Sequence, residues 1–227
     1  MIYLLKLNCS IYDQLILEER LLRNDTRNFI IVNQSSSPAI VMGISGKLEE
    51  LVNQELLQQK PIPVIRRCSG GGTVIVDEET LFVSFLFQDD FFKGQLFPEP
   101  ILEHAAEFYR SAFPEITLRE NDFVIGDKKC GGNALYIKKK RFLLHTSFLW
   151  NYRQDHMDYL LHPKKTPHYR EGRDHSSFLC RLSDFYEGKE IWLERLEKKT
   201  VQKYGTIPMS VDELGVYKEE RIATVLL

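Results

Sequence analysis

The chain has 227 residues, of which 43% are hydrophobic and 27% charged, and its formal net charge is -2. That size suits one large domain, or one domain with a small appendage, and a core that needs no disulfide or metal. The near-neutral charge gives no general case for nucleic acid or a membrane surface, and no stretch approaches the ~18 apolar residues of a membrane span.

Ile2 to Leu7 is predicted as a strand. Ser10 then reads as the N-cap of a helix reaching about Leu22, with Leu15, Ile16, Leu21 and Leu22 on its apolar face. Phe29–Val32 and Ala39–Met42 read as strands on either side of the polar turn Asn33–Pro38, and Leu48–Leu57 as a helix. Pro63–Arg67 is a strand entering a glycine-rich loop, and Thr73–Val76 is a strand leaving it. Leu81–Phe87 is a further strand, and Glu99–Phe113 a helix closed by Pro114. Phe123–Ile125, Lys129–Ile137 and Phe142–Trp150 complete the strands, the last two as a hairpin with Lys138–Arg141 at its solvated tip. A polar, His-rich run from Asp155 to His175 precedes a helix over Ile191–Tyr204. Strands in the middle with helices flanking them predict an α+β fold built on a mixed β-sheet.

The four cysteines are widely spaced and form no CxxC pair, which predicts free thiols in a reducing compartment. The N-terminus has neither the basic region nor the long apolar run of a secretion signal. A cytoplasmic location follows as the expectation.

The loop itself, Arg66-Arg67-Cys68-Ser69-Gly70-Gly71-Gly72-Thr73, carries the chemistry. It is neither a Walker A loop nor a GxGxxG turn, and it enters a strand rather than a helix. Consecutive glycines let the backbone approach a ligand and aim its N–H groups at an anion, and an adjacent arginine offers a bidentate fork to phosphate. A tight bend between strands is the other reading of the same residues. A second stretch, Asn121 to Tyr136, again sets lysines beside glycines. In an extended segment, Lys129, Gly131 and Asn133 share one face, while Cys130 points to the other.

Together these stretches resemble the lipoate–protein ligase A family. Arg66-Arg67-x-Ser69-Gly70-Gly71-Gly72-Thr73-Val74 is similar to its glycine-loop signature. Asn121-Asp122 and Gly126-Asp127-Lys128-Lys129-Cys130-Gly131-Gly132-Asn133-Ala134 resemble its lysine segment, and Leu144-His145-Thr146-Ser147 resembles the strand that follows. The resemblance runs over about residues 5–185 of a single catalytic domain spanning 1–227, with 186–227 read as a helical tail. It implies a biotin/lipoate ligase-like fold. It also implies ATP-dependent activation of lipoic acid to lipoyl-AMP, with Mg²⁺. The lipoyl group would then pass to a lysine on a lipoyl domain of a 2-oxoacid dehydrogenase or on the glycine cleavage H protein. By the same resemblance, Lys129 is the catalytic lysine contacting acyl carboxylate and adenylate. Arg67, Gly72, Thr73, Val74, Ile75, Asn121 and Asp122 contact the nucleotide, with Asp122 near the metal. Ser69, Gly70, Gly71 and His145 shape the acyl tunnel, walled by the Val83–Phe87 strand.

Three departures stand beside the resemblance. Only Tyr186–Leu227 occupies the place of the family's usual C-terminal accessory domain, which leaves room for a separate accessory polypeptide. Gly43-Ile44-Ser45-Gly46 lacks the arginine–glutamine–asparagine pattern, and His162-Pro163-Lys164-Lys165 matches the later proline–lysine segment only loosely. The alternatives are an ATP-independent octanoyl or lipoyl transferase, with Cys68 or Cys130 as the thiols to weigh, and a non-catalytic lipoyl- or carrier-binding module. Biotin ligase is disfavoured, because RRCSGGG stands where its GRGR loop would be. His156, His162, His168 and His175 match no zinc spacing. They read as an exposed run without a function of its own, and the other reading joins them to Lys164, Lys165, Arg170 and Arg173 as a basic segment suited to an acidic carrier or a nucleotide.

Overall fold

The computed structural model describes residues 1–162, 166–215, 217 and 222–227. Strand β1 (Ile2–Leu7) leads into helix α1 (Ile11–Asn24), whose Ser10 cap accepts a hydrogen bond from the Asp13 amide at 3.1 Å. Next come β2 (Asn28–Asn33), β3 (Ala39–Met42), α2 (Leu48–Leu51), α3 (Gln54–Gln59), β4 (Val64–Arg66), β5 (Val74–Val76) and β6 (Thr80–Gln88). The second half holds α4 (Asp89–Phe92), α5 (Pro98–Ala112), β7 (Ile116–Arg119), β8 (Asp122–Ile125), β9 (Lys128–Lys138) and β10 (Arg141–Leu149). Short helices α6 (Gln154–Met157) and α7 (His175–Phe178), the long α8 (Lys189–Tyr204), β11 (Ile207–Met209) and β12 (Val225–Leu226) follow.

Among the described residues the strands form an eight-stranded sheet, ordered β11-β1-β2-β6-β10-β9-β8-β7, and a four-stranded sheet, ordered β12-β4-β3-β5. Both mix parallel and antiparallel pairs, so the expected α+β architecture is present. On one face of the large sheet α5 and α8 enclose an aromatic core that includes Phe85, Phe87, Tyr109 and Phe148. Phe113 stacks on Trp192 there at 4.5 Å between centroids. On the other face sit α1 and the small sheet, joined through Ile11, Leu15, Val41, Val76 and Phe82. The functional cavity lies on this second side.

The strands flanking Asn33–Pro38 belong to different sheets: β2 joins the large one and β3 the small one. Both are buried along almost their whole length, so each needs its own neighbours and cover. The helix expected over Leu48–Leu57 breaks at Val52 and Asn53, because Asn53 accepts from the Leu56 amide and caps a new helix. The tail beyond residue 186 is not wholly helical. After α8, β11 lies parallel to β1, and β12 lies along β4, where Glu19 accepts from the Ala223 and Thr224 amides. Finally, the β9–β10 hairpin forms, with Lys139 at φ 46 in its turn, but Arg141 is not solvated. Its guanidinium is buried against the carbonyls of Leu21 and Arg27.

Candidate active site

The glycine loop between β4 and β5 is folded around Arg67. Arg67 is 4% exposed, and its guanidinium donates to the carbonyls of Gly70 (2.9 Å) and Gly72 (2.8 Å) and to Ser69 Oγ (3.1 Å). No carboxylate pairs with it among the described residues, and burial pushes its pKa down to about 10. Gly71 sits at φ +108, where a Cβ would lie 2.7 Å from Arg67 Nη2 and 3.1 Å from the Asn133 carbonyl. A Cβ on Gly43 would collide with the Gly71 carbonyl, and the Ile44 amide donates to the Ser69 carbonyl at 3.0 Å. The Gly43–Gly46 segment is therefore the opposing wall of the loop. Gly70 and Gly72 differ: a Cβ on either meets nothing within 4 Å. The fold demands glycine at 71 and leaves space at 70 and 72.

Lys129 reaches the site through an irregularity in β9. Register shifts between Phe123 and Val124: Phe123 faces Gly131, but Val124 faces Lys129, which leaves Cys130 as the extra residue. The expected common face of Lys129, Gly131 and Asn133 is therefore not formed. A Cβ on Gly131 would press into Phe148 in the aromatic core, whereas one on Gly132 would meet Lys129 Nζ at 3.1 Å. Lys129 thus shares its side with Gly132 and bends over it. Its ammonium pairs with Asp122 Oδ1 at 2.8 Å, and Asp122 Oδ2 accepts from the Tyr169 hydroxyl at 2.9 Å.

Further along the same side, Ala134 stands opposite His145, and His145 opposite Ser84. Behind them lies Glu18 of α1, fully buried. It faces His145 Nδ1 at 3.0 Å and accepts from Ser84 Oγ at 2.6 Å and Gln14 Nε2 at 2.7 Å. Burial opposes the Glu18 charge, but His145 and these hydrogen bonds outweigh it and hold its pKa below the ordinary value. Asn33 Nδ2 extends the chain by donating to Gln14 at 2.9 Å. His145 thus borders the cavity with its Nδ1 held by Glu18.

These groups line one cavity of about 690 Å³, within the range of small-molecule sites. Arg67, Gly71, Gly72, Thr73, Val74, Ile75, Asn121, Asp122, Lys129 and His145 all border it. Among the described residues the Thr73 hydroxyl there is buried with no hydrogen-bond partner. Ser69 and Gly70 do not border it. They stand behind the loop, tied to Arg67. The wall expected from Val83–Phe87 is also corrected: Val83, Phe85 and Phe87 face the aromatic core, and Thr80 and Phe82 of the same strand meet the cavity. Alternation along a strand makes these the two faces.

Neither of the thiols weighed as a nucleophile borders the cavity. Cys68 is buried beside Thr224, and burial first, then Glu19, pushes its pKa up to about 12. Cys130 is wholly buried in the aromatic core, which pushes its thiol well up. A thiol so placed supplies no thiolate near neutral pH. Asp122 fits a metal poorly, because both its oxygens already hold protein groups. Among the described residues no trio of His, Cys, Asp or Glu forms a metal site. The residues thus do not build a magnesium site of their own.

Reading the sequence missed Glu18 and Tyr169 as parts of the site, and gave Arg170 only as one charge of a basic segment. Gln14 and Glu18 carried a signal. At i and i+4 they sit within the Ile11, Leu15, Leu21, Leu22 stripe, where a polar pair needs buried partners. Tyr169 and Arg170 lie in an irregular segment with no periodicity to place them. The expected basic pair Lys164 and Lys165 falls outside the described residues.

Residues 10–205 match the model of the lipoyl protein ligase A/B catalytic domain. The chain belongs to that family. It is 27% identical to an inactive lipoate–protein ligase 2 of Plasmodium falciparum over 83% of this chain and 66% of that protein. It is 31% identical to the lipoate–protein ligase LplJ of Bacillus subtilis over 70% of this chain and 47% of that one. The chain thus spans about half to two thirds of these curated relatives. Two solved structures share the fold. One is the bipartite lipoate–protein ligase of Thermoplasma acidophilum, studied with its E2 lipoyl domain. It has TM-score 0.77 and 17% identity, covering 92% of this chain and 86% of that one. The other is a lipoate–protein ligase A bound with ATP, with TM-score 0.77 and 16% identity, covering 93% and 90%. The fold is therefore the biotin/lipoate ligase-like α+β fold.

Proposed function

We propose that this member of the lipoyl protein ligase family activates lipoate with ATP and transfers the lipoyl group to a protein lysine. The observation that carries the reading is the joining, in one cavity, of the glycine-loop backbone, the Lys129 ammonium, His145 and an apolar lining that includes Ile11, Leu15, Val41 and Phe82. In the first step a carboxylate oxygen of lipoate attacks the α-phosphorus of ATP. The P–O bond to pyrophosphate breaks and lipoyl-AMP forms. Two anions must approach each other, so a cation between them lowers the barrier. Lys129 is placed for this once Asp122 shares or releases it. In the second step the acceptor lysine's neutral amine attacks the acyl carbon. The C–O bond to AMP breaks, AMP leaves, and the amine nitrogen loses its proton. Arg67 acts here as a positioning residue, because its donors hold the loop carbonyls and so aim the loop's amides.

Residues Gly72, Thr73, Val74, Ile75, Asn121 and Asp122 form the nucleotide side in this reading. Gly71 and His145 belong to the acyl side, with Ile11, Leu15, Val41 and Phe82 as further lining. Any magnesium would arrive with the phosphates of ATP. The acceptor is a lipoyl domain of the kind found on 2-oxoacid dehydrogenases or the glycine cleavage H protein, and a separate accessory polypeptide is compatible with the reading. Free thiols and the lack of any described helix long and apolar enough to cross a membrane suit a cytoplasmic setting.

The cysteine-dependent transferase is disfavoured by the burial of Cys68 and Cys130 away from the cavity. A binding module without turnover is the second reading, favoured by the relative named inactive. The deciding experiment incubates the protein with lipoate, ATP and an apo lipoyl domain and follows acceptor mass. A gain of one lipoyl group that requires ATP supports the ligase. Acceptor modification from an octanoyl carrier without ATP, or no modification at all, would overturn it.

A further inference from the structure

The basic, His-rich segment contributes a second cationic centre to the cavity. Arg170 is 5% exposed, and its guanidinium lies over the Phe178 ring at 4.9 Å. Its Nε donates to the Arg173 carbonyl at 2.8 Å. Arg173 in turn pairs with Asp127 at 2.9 Å and donates to the Tyr169 carbonyl at 2.6 Å. Among the described residues no carboxylate pairs with Arg170, and its Nη1 makes no hydrogen bond. Its Nη2 lies 3.5 Å from His162 Nδ1. The imidazoles of His162 and His175 stack at 5.3 Å, and both Arg170 and His175 border the cavity shared with Lys129, Gly72 and Thr73.

A guanidinium buried without a counter-charge is unfavourable by several kcal/mol unless a ligand completes it. Its nearest side chains are the two imidazoles, while the carboxylates that act on it, Asp174 and Asp122, form no ion pair with it. The planar fork matches phosphate oxygens better than a single ammonium does. Lys129, by contrast, already has Asp122 as counter-ion, so the two cations are not equivalent.

We propose that Arg170, flanked by His175 and His162, forms a second anion subsite. It holds the β- and γ-phosphates of ATP and then the pyrophosphate product, while Lys129 and the glycine loop hold the α-phosphate. The proposal rests on the adenylating reading and adds the site of the leaving group. An acidic side chain of the acceptor protein is the competing occupant.

The test is titration calorimetry with inorganic pyrophosphate and, separately, AMP, on the wild-type protein, Arg170→Gln and Arg170→Lys. Losing a charge-assisted bidentate contact should weaken pyrophosphate binding about 10- to 100-fold in Arg170→Gln. AMP binding should stay within about two-fold. Arg170→Lys keeps the stem and charge without the fork and should fall between; it carries the test if Arg170→Gln does not fold. Failure of wild type to bind pyrophosphate, or equal loss of AMP and pyrophosphate, overturns the subsite. So does a loss confined to acceptor binding, which would assign Arg170 to the protein partner. Arg170-dependent pyrophosphate binding in a protein that never forms lipoyl-AMP would keep the subsite and sink the ligase reading instead.

Discussion

Alanine at Gly71 and alanine at Gly72 should fail in different ways. At Gly71 the added methyl meets a backbone at φ +108 and lands 2.7 Å from Arg67 Nη2. Holding a non-glycine residue in that conformation costs ~1–3 kcal/mol. Displacing the buried guanidinium loosens its bonds to the Gly70 and Gly72 carbonyls, at ~1.5–3 kcal/mol for a charge-assisted contact. Gly71→Ala should therefore lose about 3–5 kcal/mol, a large part of the ~5–15 kcal/mol of a typical domain. For a chain of this length that is a fall in Tm of about 10 °C. At Gly72 the methyl enters open space, so Gly72→Ala should stay within about 0.5 kcal/mol of wild type in denaturant unfolding. That methyl occupies the cavity wall, and overpacking of ~1–3 kcal/mol should weaken binding of a non-hydrolysable lipoyl-adenylate analogue at least five-fold. Wild-type stability in Gly71→Ala, or a Gly72→Ala protein more than 2 kcal/mol less stable (against that ~0.5 kcal/mol expectation), would refute this division of the loop.

Three other predictions follow from buried groups. Glu18→Ala removes the acceptor for His145, Ser84 and Gln14, and breaking a buried pair of this kind should cost ~3–5 kcal/mol in chemical unfolding. Because the folded Glu18 pKa is depressed, its contribution is present above the unfolded carboxylate value of about 4.3 and is lost as pH falls through the lower folded value. Wild-type stability should therefore drop below about pH 4.3 more steeply than that of Glu18→Gln, as followed by circular dichroism. Cys68→Ser should retain acyl transfer, and iodoacetamide at pH 7 should leave Cys68 and Cys130 unmodified by peptide mass mapping. Rapid alkylation with matching loss of activity would restore a thiol mechanism.

Much of this site was legible in the residues, and the exceptions share a cause. The strands around the glycine loop and the β9–β10 hairpin follow from local apolar runs and turn residues, so they appeared where expected. The bulge at Cys130 did not, because register is set by pairing with β8, which a single strand does not encode. That one extra residue exchanges Gly131 for Gly132 as the neighbour of Lys129. Arg67 was read as a phosphate ligand from its place beside glycines. Its actual hydrogen bonds close the loop onto itself, and only the fold supplies the Gly70 and Gly72 carbonyls at the right distance. The separation of β2 from β3, and the return of the tail as β11 and β12, are long-range choices that local propensity leaves open. Arg170 was visible as charge but not as a buried charge, and burial is what makes it informative.

The central claim is that Lys129 and the glycine loop together adenylate lipoate. Lipoate-dependent exchange of labelled pyrophosphate into ATP, measured for wild type and Lys129→Ala, tests it most directly. The account predicts exchange by wild type and a loss of at least about 100-fold in a Lys129→Ala protein that remains folded, in line with removal of a group stabilising charge in the transition state. Exchange of equal rate in both proteins would contradict it.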